Sequence, residues 1–241
     1  MNLPISIIVP TFNEGLYLPK LLQSLQNQTK KPTQTIVADA FSLDNTRQIA
    51  KSFGCMVVDG GLPSVARNRG VKFATQPILL FLDADVDLPP YFLERTFTEM
   101  VTRNLDIASC FIIPKSSLRV DHLLHLFANH YMKLTQRFHP HVPGCCIFVK
   151  KDVHQAIGGF DESLILSEDH DYVRRAKKVG RFDYLKSYKI PVSVRRLSAE
   201  GRIKIALKYI AIELHLIFIG NIRRNIFKYR FGHYYKLFKD A

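Results

Sequence analysis

The 241-residue chain predicts an α/β fold, a mostly parallel sheet flanked by helices and followed by an amphipathic helical tail. Short β-branched runs alternate with helical periodicities through the first 82 residues. Polar clusters recur just past the ends of those runs, and 47% hydrophobic residues are enough for a sizeable core.

Ile5-Ser6-Ile7-Ile8-Val9 reads as the first strand, stopped by Pro10, and Thr11 to Glu14 offers a cap and an acid at a helix start. Leu18, Leu21, Leu22 and Leu25 follow at helical spacing. Thr35 to Ala38 is a strand, Asp44-Asn45-Thr46 a cap, Thr46 to Phe53 a helix and Cys55 to Val58 a third strand. This βαβαβ order belongs to parallel sheets. Pro63 to Lys72 reads as a helix leading into Ile78 to Leu82, an apolar run that exits at Asp83-Ala84-Asp85. Beyond it the pattern is less regular: a helix around Asp121 to Arg137, a loop from His139 to Gly144, a strand from Cys145 to Lys150, and a helix from Asp152 to Ile157. The turn Gly158 to Glu162 comes next, then an acidic cluster from Ser167 to Asp171 opening a helix that runs to Gly180, and a strand-like stretch from Ile190 to Val194.

Open parallel sheets bind ligands outside the carboxyl ends of their strands. Thr11 to Glu14, Asp39, the Arg67 region, and Asp83 with Asp85 all fall at such ends. Two carboxylates one residue apart at a strand exit suit a hard divalent cation held against a phosphate. An isolated Asp-x-Asp is more often a solvated capping loop, so its surroundings decide its meaning.

The formal net charge of +13 permits a nucleic acid, an anionic membrane or a phosphorylated substrate as partner. From Arg195 onward eleven Lys and Arg stand against three acids, an excess of eight, so the basic surplus belongs mainly to the C-terminal segment. Cys55, Cys110, Cys145 and Cys146 show no C-x-x-C spacing and read as small buried hydrophobes in a reducing compartment. Met1 to Pro4 runs straight into a strand pattern without a basic and apolar leader, so a cytoplasmic location is expected.

Six motifs in order, Ile8-Val9-Pro10-Thr11-Phe12-Asn13-Glu14, Ala38-Asp39, Ala66-Arg67-Asn68-Arg69-Gly70, Asp83-Ala84-Asp85, Gly158 to Glu162 and Glu168-Asp169, resemble glycosyltransferase family 2. These are inverting, nucleotide-sugar-dependent enzymes of the Rossmann-like GT-A fold, and the resemblance covers residues 5 to about 185. It implies a transferase domain over residues 1–197, with a nucleotide-binding half (1–110) and an acceptor-binding half (111–197), followed by a basic segment over 198–241.

The resemblance also implies roles. Pro10, Thr11, Asn13 and Glu14 match the loop that cradles the nucleoside, and Asp39 matches the acid that contacts the base. Arg67 matches a basic position near the diphosphate, where a guanidinium fork suits phosphate oxygens. Asp85 matches the direct ligand of Mn²⁺ or Mg²⁺, while Asp83 beside Ala84 reaches the ribose or, through water, the metal. Asp169 matches the base that deprotonates the acceptor hydroxyl, with Gly144, Gly159, Phe160, Asp161 and Glu168 on the acceptor side. For Glu168 and Asp169 a second reading stands, acids favoured at a helix N-terminus by its dipole. Arg195 and Arg196 either meet the diphosphate or open the tail as a solvated basic pair. His139 and His141 are expected to be solvated loop residues rather than ligands.

Two features depart from the family pattern. Ala40-Phe41-Ser42-Leu43-Asp44 replaces a common Gly-Ser-Thr-Asp run, so Phe41 is expected to alter the nucleoside pocket. The chain has no Trp and therefore lacks the Q-x-x-R-W motif of processive synthases, which points to single additions, with a UDP-sugar ahead of a GDP-sugar as donor.

Ile203 to Ile222 is apolar yet holds Lys204, Lys208, Glu213 and His215, which argues against a simple membrane span. A helix lying in the interface of the inner face of the cell membrane is expected instead. Arg223, Arg224, Lys228 and Arg230 would meet anionic head groups, with Tyr209, Phe227, Tyr229, Tyr234 and Tyr235 at the boundary and a lipid-linked or glycan acceptor. A helix packed on the domain or on a dimer partner is the alternative. Two further function classes are open at this level. A nucleotidyltransferase is opposed by the lack of a Gly-rich phosphate loop with a Lys after the first strand. An inactive basic module binding membrane or nucleic acid is opposed by acids at the strand ends, which repel phosphates in the absence of metal, so nucleic acid is not an expected partner.

Overall fold

The computed structural model describes residues 2–229. The first four βα units follow the predicted order: β1 (Leu3–Thr11), α1 (Leu18–Gln26), β2 (Pro32–Asp39), α2 (Thr46–Ser52), β3 (Met56–Asp59), α3 (Pro63–Val71) and β4 (Ile78–Leu82). The second half holds α4 (Phe92–Thr102), β5 (Ile107–Pro114), α5 (Arg119–Thr135), β6 (Cys146–Lys150), α6 (Lys151–Ala156), α7 (Glu168–Ala176), β7 (Phe182–Val192), α8 (Arg195–Glu200) and α9 (Arg202–Phe218).

All seven strands form one sheet in the order β3-β2-β1-β4-β6-β5-β7. Pairing is parallel except that β6 runs antiparallel to both β4 and β5. Because β1 pairs with β2 on one side and β4 on the other, the strand order reverses there, and the carboxyl ends of β1, β2 and β4 frame one crevice. Strand alternation feeds two cores. Ile5, Ile7 and Val9 of β1 pack with α1 residues on one face, and Ile8 packs with Ala66 and Val71 of α3 on the other.

The second half departs from expectation. α4 and β5 occupy residues left unassigned by periodicity, and β7 begins at Phe182 rather than near Ile190. β7 carries an irregularity opposite Cys110 and Phe111 and alternates poorly in hydrophobicity, which hides it from a period-two reading. The expected boundary at residue 110 falls inside β5, which inserts between β6 and β7, so the two halves share one sheet. The boundary at 197 falls inside α8.

Part of the tail packs on the domain. Ile212 and Leu216 of α9 pack with Leu166 and Ile222, and Leu166 bridges Ile222 as an isolated β-pair. The opposite side of α9 is exposed. Among the described residues no helix is long and apolar enough to cross a membrane. Arg230, Tyr234 and Tyr235 lie outside the described residues.

Candidate active site

Asp39 ends β2 fully buried, and its carboxylate accepts hydrogen bonds from Thr11 Oγ1 at 2.9 Å, Ser42 Oγ at 2.6 Å and Ser42 N at 3.0 Å. The loops after β1 and β2 are knitted together. Asn13 takes a left-handed φ of 54°, donates its N–H to Ser42 Oγ at 2.8 Å and accepts from Leu43 N through Oδ1 at 2.9 Å. Glu14 N reaches Thr46 Oγ1, and Gly15 N reaches Asp44 Oδ2. Ser42, Leu43, Asp44 and Thr46 thus bridge the two loops. Phe41, also left-handed at φ 58°, is turned out to solvent beside them.

Glu14 is buried, and burial raises its carboxyl from the ordinary value. Asp85, one residue past Ala84 in the β4 exit, is raised for the same first reason, with Asp83 adding repulsion. Arg195 answers both. Its guanidinium grips Glu14 with two bonds of 3.1 and 2.9 Å, lies 3.4 Å from Asp85 and covers the Tyr17 ring at 4.5 Å. Arg196 faces the tail instead, donating to Tyr209 and lying over the Tyr229 ring. The pair expected to act together is thus divided, with Arg195 at the acids and Arg196 against the tail.

Arg67 is 3% exposed although charged. Its Nη1 donates to Glu168 Oε1 at 2.8 Å, while Nη2 lies 3.3 Å from Asp83 Oδ1 and 3.3 Å from the Gly144 carbonyl. Burial works against its charge, but Glu168 and Asp83 more than offset that and raise its pKa. This guanidinium, expected near a diphosphate, joins α3, the β4 exit, the loop before β6 and the start of α7.

α7 opens with Ser167 in a left-handed conformation at φ 59°, followed by Glu168 and Asp169 in its first turn. Burial pushes the Asp169 carboxyl up to about 6, against the lowering influence of Arg67. Gly144 makes room for it: a Cβ there would stand 2.9 Å from Asp169 Oδ2 and 3.3 Å from Arg67 Nη2. Asp169, Arg67 and Asp83 therefore meet around one small residue.

The Gly158-Gly159-Phe160-Asp161 turn supports this arrangement from beneath. Asn68 Nδ2 donates to the Phe160 carbonyl, and Asn68 Oδ1 accepts from Phe160 N, both at 2.9 Å. Gly159 sits at φ 75°, and a Cβ there would fall 2.6 Å from Asn68 Oδ1. Phe160, expected on the acceptor side, is 2% exposed and stacks on Tyr172 at 3.9 Å, so it packs in the core beneath Arg67. Asp161 pairs with Ser163 and Arg223 at the surface.

His139 and His141 correct a second expectation. His141 is buried, its Nε2 lies 2.7 Å from Glu213 Oε1 of α9, and Tyr131 of α5 donates to the same oxygen at 2.9 Å. The ligating atoms of His139, His141 and Glu213 lie within 4.8 Å of one another, a spacing that a metal ion could use. Arg174 Nη1 donates to His139 Nε2 at 2.6 Å, and burial lowers the His139 pKa. Hydrogen bonds from Tyr131, His141 and Arg174 engage Glu213 Oε1 and His139 Nε2, so the group reads as a hydrogen-bonded network. His170 joins it, its ring 4.7 Å from His141 and its Nε2 3.8 Å from Asp169 Oδ1. Tyr17, Tyr131, His170, Arg174 and Glu213 had no sequence signal as site neighbours, because each reaches its place through tertiary packing.

The description "Glycosyl transferase family 2" matches residues 6–158, more than half of the chain. The glycosyltransferase AglE of Haloferax volcanii is 28% identical over 189 residues, covering 73% of this chain, and the chain spans 62% of that protein's length. Among solved structures, Staphylococcus aureus TarS 1–349 in complex with UDP superposes with a TM-score of 0.66 at 21% identity, covering 89% of this chain and 66% of that one. The mannosyltransferase PcManGT of Pyrobaculum calidifontis in complex with GDP-Man and Mn²⁺ gives 0.71 at 16% identity, over 89% and 65%. The sheet and its helices therefore have the GT-A architecture.

Proposed function

Because the chain belongs to glycosyl transferase family 2, we propose that it transfers a single sugar from a nucleotide-sugar donor to an acceptor hydroxyl with inversion at the anomeric carbon. The observation that carries this reading is the convergence at Gly144 of Asp169, with its carboxyl raised to about 6, Arg67, and the Asp83 end of the β4 strand. A carboxylate with that pKa is ionised at neutral pH and still basic enough to accept a proton.

In the proposed step Asp169 takes the hydroxyl proton as the acceptor oxygen bonds to the anomeric carbon. The bond from that carbon to the diphosphate breaks on the opposite face, and its electron pair leaves with the nucleoside diphosphate. One displacement inverts the centre, so no covalent sugar intermediate forms. Arg67 holds Glu168 and Asp83 in register with the base. Asp39, with Pro10, Thr11, Asn13 and Glu14 around it, receives the nucleoside, and the donor is read as a UDP-sugar ahead of a GDP-sugar, the neighbours TarS and PcManGT holding UDP and GDP-Man respectively.

The acids fit a divalent cation, Mn²⁺ or Mg²⁺. Glu14, Asp83 and Asp85 lie close enough to repel one another, and Arg195 meets only Glu14 and Asp85. Asp85 would hold the cation directly and Asp83 through water, and a bound cation supplies charge stabilisation to the departing diphosphate. The acceptor is read as a lipid-linked or cell-envelope glycan, reached by peripheral association of the C-terminal segment with an anionic membrane on the cytoplasmic side; the exposed apolar side of α9 supports this.

Release of nucleoside diphosphate, with the anomeric configuration of the product read by NMR, tests the reading. Asp85→Ala and Asp169→Ala should each lose at least 100-fold in turnover. Wild-type turnover by both variants, or a retained configuration, would sink it.

A further inference from the structure

We propose that α5 and α9 together form one docking face for an anionic lipid surface. This rests on the peripheral association proposed above and adds to it a second helix and an orientation.

Two side-chain links join the helices, in the same order along each. Arg202 at the start of α9 holds Asp121 at the start of α5 with bonds of 2.7 and 3.1 Å, and further along Glu213 accepts from Tyr131 at 2.9 Å. Each helix carries an apolar stripe that faces solvent. On α9 it is Ile203, Leu207, Ile210, Leu214 and Ile217, and on α5 it is Leu123, Leu126, Phe127 and Leu134. Phe127 is 74% exposed, Leu134 80% and Ile203 79%, values far beyond an incidental surface hydrophobe.

Helical geometry puts both stripes on one side. Each residue advances about 100° around its axis. Ile203 and Leu214 directly follow the seam residues Arg202 and Glu213, so the α9 stripe is turned about 100° from the seam in one sense. On α5 the stripe residues Phe127 and Leu134 flank Tyr131 at i−4 and i+3 and lie on the opposite rotational side of the seam from Asp121. For parallel neighbours, opposite senses of rotation away from a shared seam point the same way. The stripes therefore form a single apolar surface, with Tyr131 and Glu213 beneath it.

The charges around that surface select its occupant. The exposed charged residues of 118–138 and 203–228 are Arg119, Lys133, Arg137, Lys204, Arg223, Arg224 and Lys228; the two acids there, Asp121 and Glu213, are buried or half-buried and paired. A second copy of this chain would bring like charges together across the face. The twelve residues 230–241 contribute three basic residues and one acid, and so add to the positive charge. An apolar stripe rimmed predominantly by cations complements a leaflet of anionic lipid. Tyr131 and Glu213 beneath that surface connect through His141 and His170 to Asp169.

Co-sedimentation of the full chain with phosphatidylcholine vesicles, with and without phosphatidylglycerol, tests the proposal. Three variants are compared: Leu123→Glu with Phe127→Glu on α5, Ile210→Glu with Ile217→Glu on α9, and Val101→Glu on the exposed side of the remote α4 as control. The expected result is binding that requires phosphatidylglycerol, weakens with added salt, falls at least tenfold in each double variant and is unchanged in Val101→Glu, with all three variants melting like the parent. Loss of binding in the α9 variant alone would overturn the two-helix face while leaving peripheral association intact. No binding by the parent chain would overturn both, as would a dimer in sedimentation equilibrium that both double variants dissociate.

Discussion

Arg67 Nη1 donates to Glu168 Oε1 at 2.8 Å across 101 positions of sequence, and the same guanidinium reaches Asp83 at 3.3 Å. One buried cation thus joins the exit of β4 to the start of α7. Breaking a buried ion pair from one side leaves its partners uncompensated, at about 3–5 kcal/mol. Arg67→Met should lose about 3 kcal/mol of stability in denaturant unfolding, and an unchanged midpoint would show that this pairing is incidental.

Asp169 gives two predictions of opposite sign. As the proton acceptor it must be ionised, so kcat/KM should rise through an acid limb centred near pH 6. Its folded pKa lies above the ordinary value of 3.8, so the unfolded chain ionises first, and this group disfavours folding increasingly as pH rises from about 3.8 to about 6. Asp169→Asn removes that penalty. It should be inactive yet more stable at neutral pH by about 1–3 kcal/mol, the free energy of a shift of this size at a largely buried group. A variant both inactive and destabilised would argue that the carboxylate is structural.

Gly144 tests the geometry of the base without removing it. An added methyl would stand 2.9 Å from Asp169 Oδ2, so the carboxylate or the loop must yield. A displaced catalytic group commonly loses about 100-fold in rate. Gly144→Ala should lower kcat/KM by about 10- to 100-fold with little change in melting temperature, measured side by side with the parent.

The cation reading makes a binding prediction independent of turnover. A ligand at 100 times its Kd stabilises by about 2.7 kcal/mol. Mn²⁺ with UDP should raise the melting temperature above that with UDP alone, and Asp85→Ala should erase the difference. An equal metal-dependent shift in Asp85→Ala would move the cation elsewhere.

Burial raises Glu213, but the hydrogen bonds from His141 and Tyr131 together with the nearby histidine charge outweigh it and hold the carboxyl down to about 2. Its folded pKa lies below the ordinary 4.5, so its contribution is present above pH 4.5 and is lost as pH falls toward 2. Amide exchange along α9 should therefore accelerate between pH 4.5 and 3 relative to a Glu213→Gln variant, which has already lost the charge. Equal pH dependence in the two proteins would remove Glu213 as the clasp.

The elements legible in the sequence were those with strong local signals. β1 to β4 and their helices show β-branched runs, caps and helical spacing, and the Asp83 and Asp85 exit stands out because an apolar run must end where its carboxylates begin. β7 was not legible, since it alternates poorly, whereas α4 buries Phe92, Leu93, Thr96 and Met100 at helical spacing and so does carry a local signal. The antiparallel direction of β6 has no local signature, because its partners β4 and β5 come from both sides of it in space.

By itself the sequence determined the βα order, the family and the acids at the strand ends, because each is written in neighbouring residues. Only the tertiary structure decided what those residues face. Arg67 turned out to join two acidic segments, Phe160 to be core, Arg195 to cover Glu14 and Asp85, and His141 to clasp α9. The reason is physical: a buried charge or ring takes whichever partner the chain's return brings within hydrogen-bond reach, and that return spans tens of residues.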